Sequence, residues 1–336
     1  MTPLAGYLKP GTKHGETVSE GQGYGMAMAA AIGDKVLFDK LWRFTRHFLS
    51  QSSKKYCGGL MGWNWKGADD CRPLDVPCDP DKEGCGGDGD SAFDGDVDIG
   101  IGLVFAARQW PEYTQAAVGW LTKMECEINT AFDGTWNYPT SGDTWTKNCQ
   151  NYPNEPCKYV KGQEEAKGAN LSYAPPGYFR VFGDFLKASL SKDRYSDDER
   201  EQHRKFWYRT AETTYEMYER CYAAAGVHPA LAEDFGSYTQ PCETHADNYN
   251  WARYLWRVGV DAAWFGDDQT LPENYPGSST KYPGKSRMQA KIDNIQDFYT
   301  DFHVKNPPVQ NANRFSTLCS DLTPSGAVSN CDPAYG

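Results

Sequence analysis

Val18-Ser19-Glu20-Gly21-Gln22-Gly23-Tyr24-Gly25-Met26-Ala27 sets one carboxylate, Glu20, among small residues and directly ahead of an apolar helical pattern. Gly21, Gly23 and Gly25 permit a tight backbone turn and the close approach of a bulky ligand. Ser19 or Glu20 can cap the helix that follows, where the helix dipole favours an acceptor. A lone Ser-Glu-Gly reads as an N-terminal capping turn. This run is longer than a cap needs.

Two further segments add weight to it. Ala92-Phe93-Asp94-Gly95-Asp96-Val97-Asp98-Ile99 places aspartates at alternate positions ahead of the apolar run that ends at Trp110. Taken alone, these acids read as first-turn residues or calcium ligands. Asn248-Tyr249-Asn250-Trp251-Ala252-Arg253-Tyr254-Leu255-Trp256-Arg257 sets polar and aromatic residues on a helix that is otherwise a core element.

In this order the three segments resemble glycoside hydrolase family 8, once called cellulase family D. Gly59-Leu60-Met61-Gly62-Trp63 and Ser172-Tyr173-Ala174-Pro175-Pro176-Gly177-Tyr178-Phe179-Arg180 also match family segments. The resemblance runs from about Tyr7 to the C-terminus. It implies an all-α fold, an (α/α)6 barrel, as a single catalytic domain over residues 1–336. Against that fold the chain is expected to be incomplete at both termini, with fewer than twelve barrel helices.

Composition agrees with a carbohydrate-active enzyme. A net charge of −11 argues against nucleic acid, whose phosphates demand a basic face. No stretch of about 18 apolar residues is present to span a membrane. The 11 Trp and 21 Tyr supply flat apolar faces with polar edges, suited to stacking on sugar rings or to core packing. Eleven cysteines are many for a cytosolic enzyme. Cys57, Cys71, Cys78 and Cys85 cluster in one loop-like stretch; Cys149 with Cys157, and Cys319 with Cys331, flank others. Such loop-bound pairs read as disulfides made outside the cytoplasm. Together with the family resemblance, a secreted bacterial monomer without its signal peptide is expected. Zinc is the rival reading, but the spacings are not Cys-x-x-Cys and few histidines accompany them.

Helical periodicity dominates. It predicts helices over Gly23–Ile32, Leu37–Ser50, Val97–Gln109, Glu112–Asn129, Pro176–Leu190, Asp197–Ala225, Trp251–Phe265 and Ser286–Phe302. Long loops rich in Gly, Pro, Asp and Asn separate them, and loops of that length are usually functional.

Cleavage of a glycosidic bond needs one carboxylic acid to protonate the leaving oxygen, and a second carboxylate to activate water or attack the sugar. The resemblance assigns the acid to Glu20. It assigns to Asp94 the binding and distortion of the sugar at the cleavage point. Asp96 and Asp98 read as capping or supporting groups. In many members the base is the aspartate of Tyr-Asp-x-x-Arg, where this chain has Tyr249-Asn250-Trp251-Ala252-Arg253. An amide cannot take a proton from water. Either the preceding loop supplies the base, with Glu243 the first choice and Asp247 the second, or Asn250 is an engineered inactivation, or the protein only binds sugar. Arg253 is expected to hydrogen-bond nearby carboxylates or substrate hydroxyls. Tyr173 and Tyr249 match tyrosines near the water; Trp63, Trp136, Trp145 and Trp251 are stacking candidates.

Asp79, Asp81, Glu83 and Asp90, with Gly84 between, have the spacing of a calcium loop. The alternative is an acidic solvated loop stapled by Cys78 and Cys85. No cofactor is required; a structural calcium is the one candidate. The expected partner is a β-1,4-linked polysaccharide, with an endo-β-1,4-glucanase the favoured activity. Chitosanase and xylanase are the rivals, and a silent carbohydrate-binding protein is the alternative of another class.

Overall fold

The computed structural model describes residues 16–47, 59–66, 91–131, 137–142, 158–159, 167–169, 171–225, 236–237 and 250–265. The chain groups into two compact units. The first comprises Met1–Ala166 and Tyr178–Thr210; the second comprises Lys167–Gly177 and Ala211–Gly336.

The first unit is organised around two helices. β1 (Glu16–Val18) leads into α1 (Ser19–Ala31) and pairs antiparallel with β2 (Asn64–Lys66). α3 (Phe93–Gln109) is buried on nearly every side from Phe93 to Val104, as an element apolar all round must be. α1 and α3 meet backbone to backbone along a seam of glycines. A Cβ on Gly23 would lie 2.5 Å from the Asp98 Cβ and 2.6 Å from Ile99 N. One on Gly95 would lie 2.5 Å from the Ser19 Cβ and 2.8 Å from Glu20 N, and one on Gly102 would lie 2.9 Å from the Met26 Cβ.

This corrects the expectation that the motif glycines turn the chain. Gly21, Gly23 and Gly25 lie inside α1, and none has positive φ. The capping expectation is corrected too. Ser19 and Glu20 are the first two helical residues, Val18 is the N-cap, and no side chain caps the helix. Close packing on α3 replaces a cap as the reason the helix starts there. Gly33, with φ 76°, does end α1 in the left-handed region.

α2 (Lys35–His47) follows, started by Asp34, whose Oδ1 accepts from Leu37 N at 2.9 Å. It buries Phe38, Leu41 and Thr45 on one face. The predicted helix over Glu112–Asn129 is divided. A 3-10 turn (Pro111–Tyr113), α4 (Thr114–Met124) and a second 3-10 turn (Glu125–Glu127) lead into β3 (Ile128–Ala131). β3 pairs antiparallel with β4 (Asn137–Pro139) and parallel with β5 (Lys158–Tyr159). Cys126, in the second turn, is disulfide-bonded.

Most of α5 (Pro176–Ser189) and the first half of α6 (Asp197–Ala225) complete this unit. Phe179 stacks on Trp207 with ring centroids 5.6 Å apart, and Phe182 meets the same ring edge-on at 5.2 Å. Gly100 of α3 admits Phe182, Leu121 and Met124 to its surface.

The second unit holds the end of α6, a 3-10 turn (Leu171–Tyr173), β6 (Lys167–Ala169) paired antiparallel with β7 (Gly236–Ser237), and α7 (Asn250–Phe265). Its core includes Tyr215, whose hydroxyl donates to the fully buried Asp261. Gly177 lies against the Asp261 backbone, where a Cβ would come within 2.9 Å of its Cα. The predicted helix over Ser286–Phe302 lies outside the described residues.

Candidate active site

Glu20 occupies the first turn of α1 and is half-buried. Tyr24, one turn on, donates its hydroxyl to Glu20 Oε1 at 2.5 Å. It ties down one carboxyl oxygen and so orients the other. Tyr24 was within the quoted motif but not singled out; its i, i+4 spacing from Glu20 on a helix is the signal that finds it.

Asp94 sits at the equivalent place in α3 and is 6% exposed. Its Oδ1 accepts from Gly95 N at 2.8 Å. Because Gly95 rests on Ser19 and the Glu20 amide, the first turns of α1 and α3 abut. The seam thus brings the backbones that carry Glu20 and Asp94 together. Asp96 and Asp98 are completely buried inside α3. The Asp96 carbonyl accepts from Trp120 Nε1 at 3.0 Å, and Asp98 lies against Gly23.

Trp63 stands beside the same helix start. Its carbonyl accepts from Ser19 N at 2.9 Å, and the residue is 40% exposed, leaving an aromatic surface available for stacking.

The second unit holds another group of expected residues. The Arg253 guanidinium lies over the Tyr173 ring, 5.0 Å from its centroid. Asn250 is the first residue of α7, and Trp251 follows it. Tyr249, Trp136, Trp145, Glu243 and Asp247 lie outside the described residues, as do the calcium candidates Asp79, Asp81, Glu83 and Asp90. Among the described residues no three His, Cys, Asp or Glu side chains cluster as a metal site, and no helix is long and apolar enough to cross a membrane.

One ion pair away from the motif carries perturbed groups. His203 Nδ1 lies 2.8 and 3.0 Å from the two oxygens of Glu125. Glu125 holds the imidazole above its usual range. Burial pushes the Glu125 carboxyl up, with His203 opposing it.

The described residues are mostly helical, and the chain resembles solved structures across most of its length. The apo structure of a β-1,3-1,4-glucanase from Paenibacillus sp. X4 matches with a TM-score of 0.57 at 18% identity, covering 91% of this chain and 68% of that one. The fold is that of the (α/α)6 barrel enzymes. The chain belongs to the glycosyl hydrolases family 8, whose family model matches residues 7–273. Endoglucanase C of Ruminiclostridium cellulolyticum is 26% identical over 265 residues, 75% of this chain and 44% of that protein. The reducing end xylose-releasing exo-oligoxylanase of Halalkalibacterium halodurans is 24% identical over 259 residues, 76% of this chain and 56% of that protein. The chain therefore spans less than half the length of the endoglucanase it matches.

Proposed function

We propose that this chain is the catalytic part of a secreted bacterial endo-β-1,4-glucanase that cuts internal bonds of β-glucan with inversion. The observation that carries the reading is the glycine seam, which seats the Glu20 and Asp94 backbones at two abutting helix starts. Family membership and the endoglucanase relatives support the substrate class.

In this reading Glu20 gives its proton to the glycosidic oxygen as the bond to the anomeric carbon breaks. Tyr24 fixes Oε1, leaving Oε2 to carry the proton. Asp94 holds the sugar at the cleavage point. Water attacks the opposite face, a base removes its proton, and the new reducing end is the α-anomer. Inversion requires room for that water, with the two carboxyl groups about 6.5–9.5 Å apart. The base is assigned to Glu243, with Asp247 second, since Asn250 has no basic oxygen to offer. Trp63, and with it Trp136, Trp145 and Trp251, supplies stacking faces; Tyr173, Tyr249 and Arg253 bind the substrate.

Two observations favour rivals. The oligoxylanase relative favours xylan. The amide at Asn250 favours a silent carbohydrate-binding protein. Reducing-sugar release from carboxymethylcellulose, lichenan, chitosan and xylan in parallel separates them. Preference for the glucans supports the proposal, preference for chitosan or xylan moves it within the family, and no release from any polymer leaves the binding protein. Glu243→Gln should then abolish turnover, with partial rescue by azide as the α-glycosyl azide. Unchanged turnover in that variant would rule Glu243 out.

A further inference from the structure

Ser91, two residues before α3, is a junction of three segments. It bridges to Gly62, one residue before the Trp63 carbonyl that holds Ser19 N. Its own carbonyl faces Gly142, so closely that a Cβ there would overlap it. Its hydroxyl donates to Glu127 Oε1. Glu127 is completely buried, 36 residues from Ser91 along the chain, in the turn that leads into β3. The Glu127 carbonyl accepts from both Thr140 N at 3.2 Å and Thr140 Oγ1 at 3.0 Å. Next to Thr140, the Ser141 carbonyl accepts from Phe93 N at 3.1 Å.

We propose that Glu127 is a positioning residue for the two carboxylates at the helix starts, acting through Ser91. One arm runs Ser91–Ala92–Phe93 to Asp94. The other runs from Ser91 across the Gly62 bridge to Trp63 and Ser19, the residue before Glu20. Core filling does not explain a buried carboxylate at this place, because burying a carboxylate is costly and an apolar side chain would fill the space more cheaply. A directional hydrogen bond from the Ser91 hydroxyl to a buried carboxyl fixes that residue in a way that packing alone does not. The inference rests on reading Glu20 and Asp94 as the working carboxylates.

The test compares wild type, Glu127→Ala, Glu127→Gln and Ser91→Ala on carboxymethylcellulose and on 2,4-dinitrophenyl β-cellotrioside. The aryl leaving group departs without protonation, so it bypasses Glu20. A residue that only stabilises the fold lowers the amount of folded protein and cuts both activities alike. A positioning residue lowers kcat on the polymer by about ten- to a hundred-fold, with KM little changed and the aryl substrate less affected. Glu127→Gln, which keeps an acceptor for Ser91, should recover part of the loss. Ser91→Ala removes one oxygen and covers the case in which Glu127→Ala does not fold. Full activity on both substrates per folded molecule in Glu127→Ala, or an unchanged kcat in Ser91→Ala, would overturn the inference. A wild type inactive on the polymer sinks instead the functional reading on which it stands.

Discussion

Gly23→Ala tests the seam most directly. The added Cβ would meet Asp98 Cβ at 2.5 Å and Ile99 N at 2.6 Å, whereas carbon atoms pack at about 3.5–4.0 Å. α1 and α3 must therefore separate by about 1 Å, since the obstacle is backbone and a Cβ rather than the free end of a side chain. Overpacking of this kind costs about 1–3 kcal/mol, against which the better helix propensity of alanine returns about 1 kcal/mol. Gly21→Ala is the control. Its Cβ would find nothing nearer than Val18 Cγ2 at 3.8 Å, so it should gain stability. The catalytic effect is separable from the loss of stability. A domain stable by about 5–15 kcal/mol stays folded after losing a few, so the amount of folded enzyme hardly changes. Displacing the reacting groups by about 1 Å, however, lowers turnover by about a hundred-fold. Urea melts and initial rates on carboxymethylcellulose for both variants measure the two terms. A Gly23→Ala protein with wild-type midpoint and wild-type turnover would refute the seam as the device that sets Glu20 against Asp94.

Three other predictions concern separate parts of the molecule. Tyr24→Phe removes the donor to Glu20 Oε1 and should lower polymer turnover by up to about ten-fold, the worth of one orienting hydrogen bond; initial rates per folded molecule check this, and a full rate counts against the tie. His203 is held above its usual pKa by Glu125, so the imidazole's contribution to stability is complete below about pH 6.5 and fades as pH rises through the raised value. Melting temperature followed from pH 5 to 9 should lose that fall in Glu125→Gln, and a parallel profile in the two proteins would contradict it. Gly119→Ala, in α4 with nothing within 4 Å of the new Cβ, should raise stability by about 0.5–1 kcal/mol in a urea melt without changing turnover.

α6 was legible at both ends because its signals are local. Ser196 and Glu199 form a reciprocal capping box, with Ser196 N to Glu199 Oε2 at 2.7 Å and Glu199 N to Ser196 Oγ at 3.2 Å. α1 and α3 each begin four residues before the predicted start. Glycine and aspartate are weak helix formers, so a reading by propensity delays the helix; packing between the two elements overrides it. Glu112–Asn129 looked like one helix because its apolar spacing continues through Ile128. The register of Ile128 opposite Pro139 depends on a partner strand that local periodicity does not reveal. Glu20 and Asp94 stood out through motifs. Glu127 and Ser91 did not, because their meeting is a long-range contact between segments with no shared pattern.

The glycine seam also bears on how the site meets its substrate. Two helices whose backbones touch have no side-chain layer between them to slide or repack, and closely packed interiors yield little under stress. The first turns of α1 and α3 then behave as one strut, with no hinge between Glu20 and Asp94. In the proposed function, any closure over a polysaccharide chain then comes from other segments, and these two groups need no reorganisation as charge develops on the sugar.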